Sequence, residues 1–399
     1  MPAERHPDRL PLRRRLVPAV ALLLLAPWAA ECSWGGFTLT DTPFVILVLA
    51  PMYGGAALLI RETARRVGAG WPTIALFAAA FGVIQAGLVD QSLFNPGFLD
   101  DTEFADTQAA AEATLVPGLD FSARQAFDYL GNHIALSICA PIVIIESLLR
   151  GDRRSRPWLG RPGLTVVTLL YLTGSLLIFS DDEGRKDFLA SPAQVGFAVT
   201  VAVALIGAGL LIRRRRHTTP LVTATAVAAT SAVAASEVVV SPAGTASPVA
   251  VAPVTPQDAG YPAAPAPDEG TSRQVAPPGR RAPRPVWPGL VVLVAYAGSN
   301  LAPGWAGIAV GLVLAAAAAT LLVTWSRRAG WGQRQVLAAG TASMLVAAAY
   351  AYAVPTYAPA TPAAALVGDI AISIVTLTLI GGAAWRLRVT SSTVHAAAS

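Results

Sequence analysis

Runs of about twenty apolar residues, most of them closed on one side by a knot of arginines, recur along the chain, and no feature constrains the fold more. A helix crossing the hydrocarbon of a bilayer needs about 20 such residues, because a rise of about 1.5 Å per residue must cover about 30 Å. Such runs occupy 16–34, 43–60, 72–93, 131–149, 163–180 and 194–212, then 287–302, 305–325, 335–354 and 363–385. Composition agrees: 54% of the 399 residues are hydrophobic and 13% are charged, against about 25% charged in a soluble domain. A water-soluble enzyme is therefore excluded. So is a chain disordered throughout, because this much apolar surface cannot stay hydrated. The expected fold class is all-α, a polytopic transmembrane helical bundle of about ten spans in a 6 + 4 arrangement.

The net charge of +5 does not point to nucleic acid, because the basic residues sit in short clusters between apolar runs. With the N-terminus inside, 26 of the 29 Lys and Arg fall on the cytoplasmic side, leaving Arg124, Arg185 and Lys186 outside. That asymmetry is the usual address label of a multi-span protein. It puts both termini in the cytoplasm and the chain in the plasma membrane. All nine tryptophans lie near expected span ends, where an interfacial belt would hold them.

Residues 218–240 are apolar enough to tempt an eleventh span. Counting it would turn the last four helices over and move Arg327, Arg328, Arg334, Arg386 and Arg388 outside, so the segment is assigned to the cytoplasm. The domain expectation is a six-helix unit at 1–217, a Pro/Ala-rich disordered linker at 218–286 and a four-helix unit at 287–399. The Arg-rich start followed by an apolar run resembles a signal peptide. Trp28 and Pro27 spoil the cleavage positions, so the first helix is expected to stay attached.

Chemistry-bearing residues are few. Two cysteines, Cys32 and Cys139, make no disulfide framework. The outer loop 95–130 is acidic, as is the turn at Asp181, Asp182, Glu183 and Asp187. The plain reading is that outer loops lack basic residues; the functional one is a vestibule that concentrates cations. Asp100-Asp101-Thr102-Glu103 lacks the spacing of a calcium loop, and four histidines, three of them outside the spans, supply no metal centre. No metal or cofactor is expected. Within the loop, Ser122 caps an expected short helix lying on the membrane surface as a lid.

Ionisable groups inside lipid cost at least about 2.5–3.5 kcal/mol, so each needs a reason. Glu62 with Arg66, and Glu146 with Arg150, have the i,i+4 spacing of ion pairs that anchor inner span ends. Gln85, Asp90, His133 and Asp369 form the candidate ligand-binding set, facing a shared polar cavity open outward. Against this, five residues separate Gln85 from Asp90, about 140° around an α-helix, so the two do not share a narrow face. Gly307, Gly311, Ala315 and Ala319 mark a helix that a neighbour can approach closely.

Arg61-Glu62-Thr63-Ala64-Arg65-Arg66 resembles one element of intramembrane glutamate-dependent proteases, but a second glutamate and the histidine motifs are missing. No nucleophile elbow and no phosphate-binding loop occur. The stretch Pro51-Met52-Tyr53-Gly54-Gly55, with Arg61-Glu62, Arg65-Arg66, Gly70-Trp71-Pro72 and Asp90-Gln91-Ser92-Leu93-Phe94-Asn95-Pro96, resembles uncharacterised multi-pass membrane proteins of high-GC actinobacteria. The likeness covers the first half of the chain and implies a membrane location, with no activity attached. The leading expectation is a non-enzymatic integral membrane protein of scaffold or accessory type. Its partners are the lipid bilayer and a membrane protein or second copy, not nucleic acid. A transporter-like protein taking a cation or small solute from the acidic face is the alternative, and an intramembrane hydrolase the third reading.

Overall fold

An unpaired backbone group costs several kcal/mol in hydrocarbon, and a helix pairs them all within one segment, so apolar runs of this length become helices. The computed structural model describes residues 11–105, 112–212, 281–298 and 301–396. Six long helices come first: α1 (Leu12–Cys32), α2 (Thr42–Arg66), α3 (Trp71–Val89), α4 (Ala123–Leu148), α5 (Arg161–Phe179) and α6 (Pro192–Ile212). After the segment 213–280 come α7 (Val286–Gly298), α8 (Gly304–Ser326), α9 (Gln333–Tyr350) and α10 (Pro362–Ala396). Among the described residues nine helices are long and apolar enough to cross a membrane. The exception is α7, with 13 residues, which stops short of the expected 287–302. The linker expectation and the 218–240 segment lie outside the described residues.

The expected surface lid is not separate. Ser122 does cap a helix, its Oγ accepting from the Gln125 N–H at 3.2 Å. That helix runs on without a break into the span as one element, α4. The chain stays helical past Asn132 through a π turn at His133–Cys139, which joins the two parts. A two-residue antiparallel pair, β1 (Leu115–Val116) with β2 (Phe121–Ser122), delivers the chain to this cap.

The core gathers where α1 to α4 meet. Leu22, Met52, Leu58, Ile74, Ile138 and Ile142 are buried there together. The helices on both sides of 213–280 belong to one compact unit. α9 lies against α7, α10 and α4, and Leu337 and Met344 enter a second cluster with Trp28, Leu136 and Ile144. Polar clasps join the two helical groups: Tyr296 donates to Asn132 Oδ1 at 2.5 Å and Gln333 to Ser147 Oγ at 3.0 Å. By contrast α5 and α10 turn broad apolar faces outward, including Leu169, Leu172, Leu176, Leu366, Ile370, Ile374 and Leu377. Such surface is costly in water and neutral in lipid.

Two expectations about surface residues are corrected. Trp158 and Trp28 are buried rather than placed in an interfacial belt; Trp158 lies under the Arg61 guanidinium, 3.3 Å from its ring centroid. Of the small-residue stripe on α8, Gly307 and Gly311 are buried while Ala315 and Ala319 are exposed. A repeat of four advances about 40° per step around a helix, so a long stripe drifts off the contact.

Candidate functional site

Each of α1 to α4 widens from α to π geometry once, at Trp28–Cys32, Ala50–Gly54, Gln85–Val89 and His133–Cys139. Such turns are rare and concentrate at functional sites. A proline lies within or beside three of them: Pro27, Pro51 and Pro141. Its missing N–H and its clash with the preceding turn favour a wider local coil. In α3 the Asp90 N–H closes a five-residue turn on the Gln85 carbonyl at 3.1 Å.

Each widened turn carries a polar side chain, and contacts link those of α1, α2 and α4, namely Glu31, Tyr53 and His133. Tyr53 Oη donates to Glu31 Oε1 at 2.5 Å. The Tyr53 and His133 rings stack with centroids 5.9 Å apart, and Phe81 lies 5.4 Å from His133. Gln85 Nε2 donates to Asp90 Oδ2 at 3.2 Å, and Ser92 N donates to Asp90 Oδ1 at 2.9 Å. Two glycines allow this closeness. A Cβ on Gly54 would collide with the Leu23 carbonyl, so α1 and α2 touch along their backbones beside Tyr53. A Cβ on Gly82 would stand 3.1 Å from His133 Cβ, so α3 and α4 close together one turn before Gln85.

Valences remain open here. Gln85 Oε1, Tyr129 Oη and His133 Nε2 are buried polar atoms with no hydrogen-bond partner among the described residues. His133 Nδ1 lies 2.6 Å from the Tyr129 carbonyl, which can only accept. Nδ1 therefore carries the hydrogen, and in the neutral ring Nε2 presents a lone pair. No Lys or Arg pairs with Glu31 or Asp90 among the described residues. Asp90 lies just past the end of α3, and burial pushes its carboxyl above the ordinary value of 3.8 against the hydrogen bonds from Ser92 and Gln85.

Tyr357, between α9 and α10, covers this end with Trp34, Phe37 and Phe104; its ring lies 5.1–5.4 Å from all three. Its N–H donates to the Gly36 carbonyl at 2.8 Å. Burial raises its phenol well above the ordinary range, with Glu31, Tyr129 and Asp90 adding to the effect.

Of the four residues expected to line one cavity, Gln85 and Asp90 bond to each other at the end of α3, while His133 bonds to the Tyr129 carbonyl and stacks on Tyr53. The 140° objection fails because a π turn brings residue i+5 back over residue i. Asp369 is buried on α10, and no hydrogen bond or ion pair among the described residues connects it to the other three. Its helix packs on α9 and the far half of α4 instead. Glu31, Tyr53, Tyr129 and Tyr357 were not in the expected set. The prolines within apolar runs were the available signal for the first two.

At the opposite end of the same helices the buried charges engage one another. Glu146 pairs with Arg61 at 3.1 Å and with Arg65 at 2.6 Å, rather than with Arg150 as its spacing suggested. Glu62 lies 3.7 Å from Arg66, in the expected register. It also accepts from Arg61 at 2.5 Å, from Trp158 N at 2.8 Å and from Leu159 N at 3.0 Å. The Arg61 guanidinium donates further to the Arg154 and Arg156 carbonyls at 2.9 and 3.0 Å. Arg61, Glu62 and Glu146 are fully buried. A carboxylate engaged on both oxygens clamps the 150–160 loop to α2 and turns no side to a substrate, which removes the geometric basis for Glu62 as a hydrolase residue.

No protein-family model matches the chain, and neither a curated protein nor a solved structure gives a match.

Proposed function

We propose that the chain is a transporter-like protein of the plasma membrane that takes a cation or small polar solute into the Glu31–His133 cluster from one face. One observation carries this reading: four neighbouring helices each depart from α geometry once and carry a polar side chain there, and among the described residues buried hydrogen-bonding valences at Gln85, Tyr129 and His133 stay open. A scaffold has no need of unpaired buried acceptors, each of which costs about 1–3 kcal/mol. Support also comes from the acidic residues near this end. Asp101 pairs with Lys186, while Asp100, Glu103, Asp181 and Glu183 add negative charge that would attract cations. The arginine distribution supports an outward-facing orientation for this end, with the Arg61 lattice at the cytoplasmic side.

Reconstitution into liposomes on a solid-supported membrane tests the proposal, with currents recorded on jumps of small cations and amines. Wild type is expected to give solute-dependent currents that Glu31→Gln and Asp90→Asn abolish and Asp369→Asn preserves. Silence to the whole panel, or currents unchanged in both carboxylate variants, would return the protein to the scaffold reading. For orientation, a cysteine at Glu183 in a background lacking Cys32 and Cys139 should react with an impermeant thiol reagent in intact cells. One at Arg328 should not.

A further inference from the structure

The open valences at the cluster are of one kind. Gln85 Oε1 only accepts, and its amide nitrogen already serves Asp90. His133 Nε2 offers a lone pair for the tautomeric reason given above. Glu31 and Asp90 are acceptors when ionised, and among the described residues the one side-chain donor on Glu31 is Tyr53, which leaves carboxylate lone pairs to spare. Tyr129 Oη, the remaining unpaired atom, works in either sense.

Electrostatics point the same way. Asp90 lies within electrostatic reach of Glu31, Tyr53, Tyr129 and Tyr357, so the carboxylates act on one shared region. No guanidinium or ammonium among the described residues neutralises them. An anion has nothing to bind there. A tightly ligated metal ion is disfavoured, because no group of three His, Cys, Asp or Glu among the described residues has ligand spacing. The rings of Tyr53, Phe81 and His133 pack on one another beside Glu31, with centroids 5.9, 5.4 and 5.9 Å apart. Their faces suit a weakly hydrated cation.

Two uncompensated carboxylates, two lone pairs and an aromatic wall together call for a group that is positive, carries several N–H donors and has an apolar body. We infer that the cluster binds a small primary ammonium compound, its charge shared by Glu31 and Asp90 and its N–H donors satisfied by Gln85 and His133. Its alkyl part lies against Tyr53 and Phe81. This rests on the transporter-like reading and names the substrate class for that site.

Isothermal titration of the purified full-length protein in nanodiscs, in phosphate buffer free of amines, provides the test. The probes are ethylammonium, tetramethylammonium, ethanol and sodium ion. Ethylammonium should bind one to one, with tetramethylammonium at least tenfold weaker for want of N–H donors and ethanol silent for want of charge. Glu31→Gln and Asp90→Asn should each weaken ethylammonium at least tenfold. Gln85→Leu, which tests a neutral acceptor in case a carboxylate variant fails to fold, should weaken it several-fold, and Asp369→Asn should not change it. Tetramethylammonium binding as tightly as ethylammonium would overturn the N–H argument. Sodium displacing ethylammonium at equal concentration would make this an alkali-cation site. No ethylammonium binding, or binding indifferent to Glu31, Asp90 and Gln85, would overturn the inference outright. Binding without current in liposomes would sink the transport reading and leave this one standing; current with a different solute and no ethylammonium binding would do the reverse.

Discussion

Glu146 and His133 sit on one helix, about 20 Å apart along its axis, in opposite surroundings. Around Glu146 the helices are regular, and Arg61, Arg65, Glu62 and the loop carbonyls complete one another's hydrogen bonds. Around His133 the helices are widened, two carboxylates lack cationic partners, and three polar atoms are left open. Burying a charge is expensive at both ends. One end meets the cost internally and becomes a clasp. The other leaves it outstanding among the described residues, and the proposed site rests on that difference.

The largest effect separating the two ends is on stability. Glu146→Ala strands Arg61 and Arg65 without their carboxylate, and breaking a buried ion network from one side costs about 3–5 kcal/mol. Unfolding in mixed detergent should show that loss; a change below about 1 kcal/mol would dissolve the distinction drawn between the ends. Gln85→Leu should behave in the opposite way. It removes an amide whose oxygen is already unpaired, together with the hydrogen bond its nitrogen gives Asp90, so the stability loss should stay well below that of Glu146→Ala while ligand binding falls. A large loss would mean that Gln85 is structural.

A pH series sharpens the contrast at smaller amplitude. Burial raises Asp90 above 3.8 in the folded protein, so its contribution is fully present below that value and lost as pH rises through its folded pKa. The thermal midpoint of Asp90→Asn should therefore match wild type near about pH 3.5 and exceed it increasingly toward about pH 7. A gap that is flat with pH would contradict the burial. The smallest effect belongs to the exposed Asp101–Lys186 pair, where the Lys186 hydrogen bond holds Asp101 below its ordinary range. That sign makes its contribution present above the usual carboxylate range and lost on acidification. Solvent screening makes it slight, so Asp101→Asn should leave the midpoint unmoved.

Much of the helical framework was legible in the chain because it is local. An apolar run of span length needs no partner to declare itself, and the helices sit close to the runs that announced them, apart from the short α7 and the longer α4 and α10. The Ser122 cap and the Glu62–Arg66 register are also short-range, and both were readable. The site was legible only in part. Gln85, Asp90 and His133 stood out as polar groups in apolar surroundings. Glu31 and Tyr53 lie outside that set. Asp369 shares the polarity of the three but has no hydrogen bond to them among the described residues, since polarity in a span says that a partner is needed and not which one.

By itself, then, the sequence determined an all-helical chain of long apolar segments, because that depends on the solvation of one segment at a time. Only the tertiary structure decided that Glu146 answers Arg61 rather than Arg150, that a π turn carries Asp90 back over Gln85, and that Tyr357 returns from beyond α9 to cover residues near the start of the chain. Those outcomes rest on contacts between distant segments and on a local change of helical pitch. Neither is written in the spacing of residues along one ideal helix.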